Sequence, residues 1–296
     1  MMIQFGSRKI GDKCPVLIVA EIGVNHNGDI EKAKLMIDQA RWAGADAVKF
    51  QVYQVDGFVD KNTPLLDYQK GCGFDNQYDM LSAYELFYDD FRELKAHADK
   101  KNIMFLATPH SCRADVDLVV ELCSAIKVGS GSLRNYELLS YIGKKGLPVI
   151  LSTGMSTLDE IKEAVTALLP KDLAILYCVS EYPCLPSHAF INMIPFLRKQ
   201  FGCVVGFSDH TMSTIIPAAA VALGAKIVEK HFTFDKSAQG PDHFMSLNKD
   251  EFFDMVHNIR EVEKSLMGGY RRVPTAEELK IRDVTCQRGL SIGKGR

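Results

Sequence analysis

Eight apolar runs of strand length, most of them followed by a segment of helical period, constrain this chain more than any other feature. The runs fall at residues 17–21, 47–51, 103–107, 125–128, 148–151, 174–179, 204–207 and 226–231. Amphipathic segments lie at 30–42, 84–100, 114–122, 157–169 and 214–223. Near-continuous apolar runs are the mark of parallel strands buried on both faces. Alternating βα units lead to an open doubly wound sheet or a closed barrel, and eight units in 296 residues favour an α/β fold of the (β/α)₈ TIM-barrel type. Hydrophobic content of 47% suffices for such a core. Residues 2–16 are expected to form a short N-terminal hairpin that plugs the barrel bottom. The long polar segment 52–80 reads as a lid or binding loop, or else as a disordered stretch. Residues 1–268 are assigned to the barrel and 269–296 to a linker, with a short helix at 276–281.

Charge and composition exclude several classes. The formal net charge is −2, from 35 basic and 37 acidic residues, which gives no footprint for nucleic acid or a membrane surface. No apolar run reaches the ~18 residues of a membrane helix, and the first nine residues carry no signal-peptide core. The eight cysteines form no Cys-x-x-Cys pair, and several lie inside apolar runs. They read as reduced thiols of a cytoplasmic protein.

Chemistry collects where the runs end, which in such a barrel is the rim that holds the active site. In chain order the ends carry Glu21, Lys49 and Gln51, Thr108, Lys127 with Ser130 and Ser132, Ser152, Ser180 with Tyr182, Ser208-Asp209-His210, and Glu229 with His231. Two lysines set among Val, Ile and Phe need an anion to justify burial, so Lys49 and Lys127 point to a ligand with two anionic groups, phosphate plus carboxylate. Two histidines at matching strand ends suit a borderline divalent ion such as Mn²⁺, Fe²⁺, Co²⁺ or Zn²⁺, with positions left open for water and substrate. Asp209 either orients an imidazole or caps the next helix, where Thr211 competes. Asp242 either faces the metal-bound water or is a turn residue.

Motifs across residues 16–267 resemble those of the sialic acid synthase (N-acetylneuraminate synthase) family, which includes legionaminic and pseudaminic acid synthases and relatives in spore coat polysaccharide synthesis. They are Ala20-Glu21-Ile22-Gly23-Val24-Asn25-His26-Asn27-Gly28, Val48-Lys49-Phe50-Gln51, Gly206-Phe207-Ser208-Asp209-His210-Thr211, Glu229-Lys230-His231-Phe232-Thr233 and Gly240-Pro241-Asp242. The resemblance implies a homodimeric barrel that condenses phosphoenolpyruvate with an N-acetylated hexosamine, giving a nine-carbon 2-keto acid and phosphate. It implies that Lys49, Thr108, Lys127, Ser130 and Ser152 hold phosphoenolpyruvate. It assigns His210 and His231 to Mn²⁺, with Mg²⁺ or Co²⁺ as substitutes, and it turns Glu21, Gln51, Tyr182, Ser208 and Asp242 toward the sugar or the reacting water.

Two departures from the family stand out. Ser132 occupies a position that is usually acidic. The antifreeze-like domain that often follows the barrel, and that lends an arginine to the partner's sugar site, is not among these residues; residues 282–296 resemble the approach to it. Three other readings remain open: a synthase making a shorter 3-deoxy keto acid, a Schiff-base aldolase using Lys49 or Lys127, and a degenerate sugar-binding barrel without turnover.

Overall fold

Ten strands and eleven α-helices follow one another in the computed structural model, which describes residues 1–267 and 273–285. The strands are β1 (Met2–Phe5), β2 (Arg8–Gly11), β3 (Leu17–Gly23), β4 (Ala47–Val52), β5 (Met104–Pro109), β6 (Ile126–Val128), β7 (Val149–Ser152), β8 (Leu173–Cys178), β9 (Val204–Asp209) and β10 (Ile227–His231). The helices are α1 (Ile30–Trp42), α2 (Val55–Phe58), α3 (Gln77–Tyr84), α4 (Tyr88–Lys100), α5 (Arg113–Leu122), α6 (Tyr136–Gly143), α7 (Leu158–Leu168), α8 (Met193–Phe201), α9 (Ile216–Ala222), α10 (Lys249–Leu266) and α11 (Ala276–Thr285).

Strands β3 to β10 are parallel and run in the order β5-β4-β3-β10-β9-β8-β7-β6. The end strands β5 and β6 lie beside each other, so the sheet is a nearly closed barrel. Helices begin where side chains can satisfy the first free amides. Asp29 accepts from the Glu31 and Lys32 amides at the start of α1, and Thr157 with Glu160 forms a reciprocal cap on α7. The segment 84–100, expected as one helix, is two elements: α3 ends at Tyr84 and α4 starts at Tyr88. Extended backbone at Glu85 and Phe87 breaks the path between them.

Alternation along the strands divides the core in two. Outward side chains such as Ile18, Val48, Phe105, Leu151, Val205 and Val228 pack under the helices. Inward ones, Leu17, Val19, Ala47, Leu106, Ile150, Ala174, Leu176, Val204 and Ile227, fill the lower half of the barrel. Ile3, Phe5 and Ile10 of the β1–β2 hairpin join that inward cluster, so the hairpin seals the bottom as its apolar alternation demands. The segment 52–80 is ordered around a small core of its own, Val24, Tyr53, Val55, Cys72, Met80, Leu81 and Tyr84. Residues 1–264 form one compact unit, and the chain from Ser265 onward is a second, whose described helix is α11. Much of the expected linker, 269–272 and 286–296, lies outside the described residues. No helix among the described residues is long and apolar enough to cross a membrane.

Candidate active site

Above the apolar floor the inward positions turn polar. They line a cavity of about 650 Å³ at the carboxyl ends of the strands. Strand register decides which groups meet. Glu21 pairs with Lys49, and Glu229 with Ser208, across adjacent strands, so each pair projects inward at one level. Lys49 Nζ lies 2.8 Å from Glu21 Oε2 as an ion pair and donates to Thr108 Oγ1 at 3.1 Å. Gln51 donates to Glu21 Oε1 at 3.2 Å, and Ser208 donates to Glu229 Oε1 at 3.1 Å.

Lys127 is less well served. Its Nζ has Val128 O and Glu229 Oε1, both at 3.5 Å, beyond the 2.7–2.9 Å usual for a charge-assisted hydrogen bond. These four charged groups are buried, between 2% and 6% exposed, so solvent does not compensate them. Burial drives the Glu21 carboxyl above its usual range, only partly offset by Lys49. Against the same burial, Lys127 and Lys49 hold Glu229 low. Burial lowers the Lys127 ammonium, while Glu21 and Glu229 keep Lys49 high despite its burial.

Serines form the adjoining wall. Ser130 Oγ accepts the Gly154 amide at 3.0 Å and sits 3.2 Å from Cys178 Sγ. A β-carbon on Gly154 would come within 2.2 Å of Ser180 Oγ and 2.9 Å of Ser130 Oγ, so only glycine lets this wall close. Ser152 Oγ is buried without a hydrogen-bond partner. Ser132 closes a 3₁₀ turn and is buried, but it is not one of the residues lining the cavity, unlike Ser130 and Gly131.

The two histidines stand at the ends of neighbouring strands, His210 one residue past β9 and His231 the last of β10, with ring centroids 5.6 Å apart. His210 Nδ1 donates to Val179 O at 2.6 Å, which leaves Nε2 as the lone-pair nitrogen. Burial keeps both rings neutral, His231 most strongly, with His210 and the lysines adding to it. His231 Nδ1 is buried and unpartnered; Asp242 Oδ2 is 3.7 Å away. Asp209 does not orient an imidazole: it accepts from Thr211 N and Oγ1 and pairs with buried Lys230 at 2.7 Å, bracing the turn after β9. Burial, with the Glu21 charge, pushes the Asp242 carboxyl up to about 7.

These imidazoles fit a divalent cation. Both are neutral and line one cavity, and 5.6 Å is inside the roughly 6.4 Å that two imidazoles could span on one ion with bonds of about 2.1 Å. No group of three His, Cys, Asp or Glu among the described residues is placed to hold a metal, so further ligands would be water or substrate oxygens.

Several lining residues escape a reading of strand ends, among them His110, Tyr68 and Phe58. His110 follows Pro109 one step beyond β5; Tyr68 and Phe58 come from the 52–80 segment. Tyr68 stacks on Tyr182 at 5.0 Å, and Tyr182 lies 4.2 Å from the His210 ring. The segment thus supplies an aromatic wall, but nothing in its sequence period marks which residues face inward.

Comparison with known proteins gives the family and the fold. Residues 36–271 match the NeuB family. An uncharacterized protein of Methanocaldococcus jannaschii is 41% identical over 99% of this chain and 85% of its own. The N,N'-diacetyllegionaminic acid synthase of Legionella pneumophila is 36% identical over 97% of this chain and 85% of its own. Among solved structures, an N-acetylneuraminic acid synthetase of Leptospira borgpetersenii, in complex with citrate, superposes with a TM-score of 0.82 at 33% identity, covering 98% of each chain. With the family match spanning most of the barrel and relatives aligned over nearly the whole chain, this protein belongs to the NeuB family.

Proposed function

We propose that the cavity condenses phosphoenolpyruvate with an N-acetylated hexosamine, N-acetylmannosamine or a close relative, to give a nine-carbon 2-keto acid and phosphate. The observation that carries this reading is one cavity that holds two buried ammonium groups beside unpartnered hydroxyl and imidazole groups. The names of the relatives, legionaminic and sialic acid synthases, support the product class.

Lys127, short of good partners, and Lys49 would take the phosphate and carboxylate of the donor, with Thr108, Ser130, Ser152 and Ser180 completing the cradle. Holding the enol carbon against the sugar aldehyde supplies the proximity term. C3 of the enol phosphate bonds to C1 of the open-chain sugar as the aldehyde π bond opens and its oxygen takes up a proton, and C2 of the enol phosphate takes up water. Glu21 or Asp242, both held high by burial, accepts the proton of that water. The C–O bond to phosphorus then breaks, and the keto oxygen is the one that came from water. A divalent cation, Mn²⁺ or a similar ion, held by His210 and His231 would polarise the aldehyde oxygen. Gln51, Tyr182 and Ser208 would face the sugar.

A homodimer in the cytoplasm belongs to the same proposal and rests on resemblance and on the reduced thiols. The test is phosphate release from phosphoenolpyruvate with a panel of N-acetylated hexosamines and one sugar phosphate, with and without chelator. Release that needs the acetamido sugar supports the reading. Release driven by the sugar phosphate, or none with any acceptor, rejects it.

A further inference from the structure

We propose that His110 is a further donor-binding residue, its Nε2–H donating to the phosphoryl group of the enol phosphate; this rests on the synthase reading of the cavity. Three observations place this residue. Its own backbone amide donates to Val52 O at 2.9 Å, tying the turn after β5 to the end of β4. Its face meets Phe58 of α2 with centroids 4.9 Å apart. Its Cε1 would lie 3.4 Å from a β-carbon on Gly129, the residue that opens the Ser130–Gly131 turn of the cradle. The ring lines the same cavity as Lys49, Lys127, Ser130 and Ser152.

Held this way, Nε2 is shut off from solvent and has no hydrogen-bond partner. A buried polar atom left unpaired is costly, and such atoms mark positions where a ligand completes the bond. Electrostatics explains why an imidazole serves here. Burial, with Lys49 and Lys127, keeps His110 uncharged, down to about pH 3. A third permanent cation would be repelled by the two ammonium groups, whereas a neutral imidazole adds an N–H donor at no Coulomb cost. A phosphoryl anion between the lysines reverses the local field and draws that N–H toward it.

Calorimetric titration with phosphoenolpyruvate alone, on the wild-type protein, His110→Phe and His110→Gln, tests the assignment. Phenylalanine keeps the packing against Phe58 and removes the donor; glutamine restores an N–H. The expected result is a loss of affinity of roughly ten- to thirtyfold in His110→Phe. Partial recovery is expected in His110→Gln, with unfolding midpoints of all three within a few degrees. Equal affinity in His110→Phe and wild type overturns the proposal, as does an equal loss in both variants accompanied by a large fall in midpoint. If wild-type protein fails to bind phosphoenolpyruvate, the synthase reading falls, and this assignment with it.

Discussion

Lys127→Met separates the stability of the barrel from its capacity to hold an anion. The Lys127 side chain is 3% exposed, and Val128 O and Glu229 Oε1 lie 3.5 Å from its Nζ, so these protein groups repay its desolvation poorly. Methionine fills much the same volume. Glu229 is not stranded by the change, because Lys49 remains at 3.9 Å and Ser208 donates at 3.1 Å. The change in stability should stay within about 2 kcal/mol, a midpoint shift of about 4–8 °C or less. Donor binding behaves differently. A charge-assisted hydrogen bond contributes about 1.5–3 kcal/mol, and the through-space attraction adds to it. A loss of about 2–4 kcal/mol raises KM for phosphoenolpyruvate about 30- to 1,000-fold. Phosphate-release kinetics and thermal unfolding followed by circular dichroism measure the two quantities on one preparation. An unchanged KM would refute the reasoning, and so would a fall in the unfolding midpoint well beyond that range.

Three further outcomes follow from the geometry. His231→Ala should lower kcat by about 100-fold or more and leave the residual rate insensitive to chelator, measured on protein reconstituted with Mn²⁺; a chelator-sensitive variant would contradict the cation site. Phe5→Ala, which empties a fully buried site in the hairpin plug, should cost about 3–5 kcal/mol in urea unfolding without altering KM. His26 is held neutral to about pH 4 by burial, whereas an unfolded imidazole takes its proton near 6.5. Its contribution is therefore complete above about pH 6.5 and declines as pH falls toward 4, by up to about 1.4 kcal/mol per pH unit. His26→Asn should flatten that limb of a stability–pH profile, and an unchanged slope would exclude the assignment.

Much of the barrel is legible in the sequence because buried parallel strands leave no room for polar bodies. Runs such as 174–179 and 204–207 announce themselves, and a polar end on such a run has few reasons to exist other than the rim. That logic reached Lys49, Lys127, Ser208 and His231, all of which line one cavity. It could not reach His110, which sits beyond Pro109 and reads as an ordinary turn. Nor could it order the 52–80 segment, whose small core depends on contacts such as Val24 with residues far along the chain. Ser132 shows the opposite limit: close to Ser130 in sequence, it is buried in the same 3₁₀ turn and is not among the residues that line the cavity. The partner of the His210 imidazole was equally hidden, since Val179 O is a backbone atom contributed by another strand end.

The proposed chemistry turns on which bond of the enol phosphate breaks. Mass spectrometry of the products formed from N-acetylmannosamine and phosphoenolpyruvate carrying ¹⁸O in its bridging oxygen reads this directly. The cavity chemistry predicts a nine-carbon 2-keto acid free of label and inorganic phosphate that carries it. Label retained in the keto acid, or phosphate released with no new carbon–carbon bond, would contradict it.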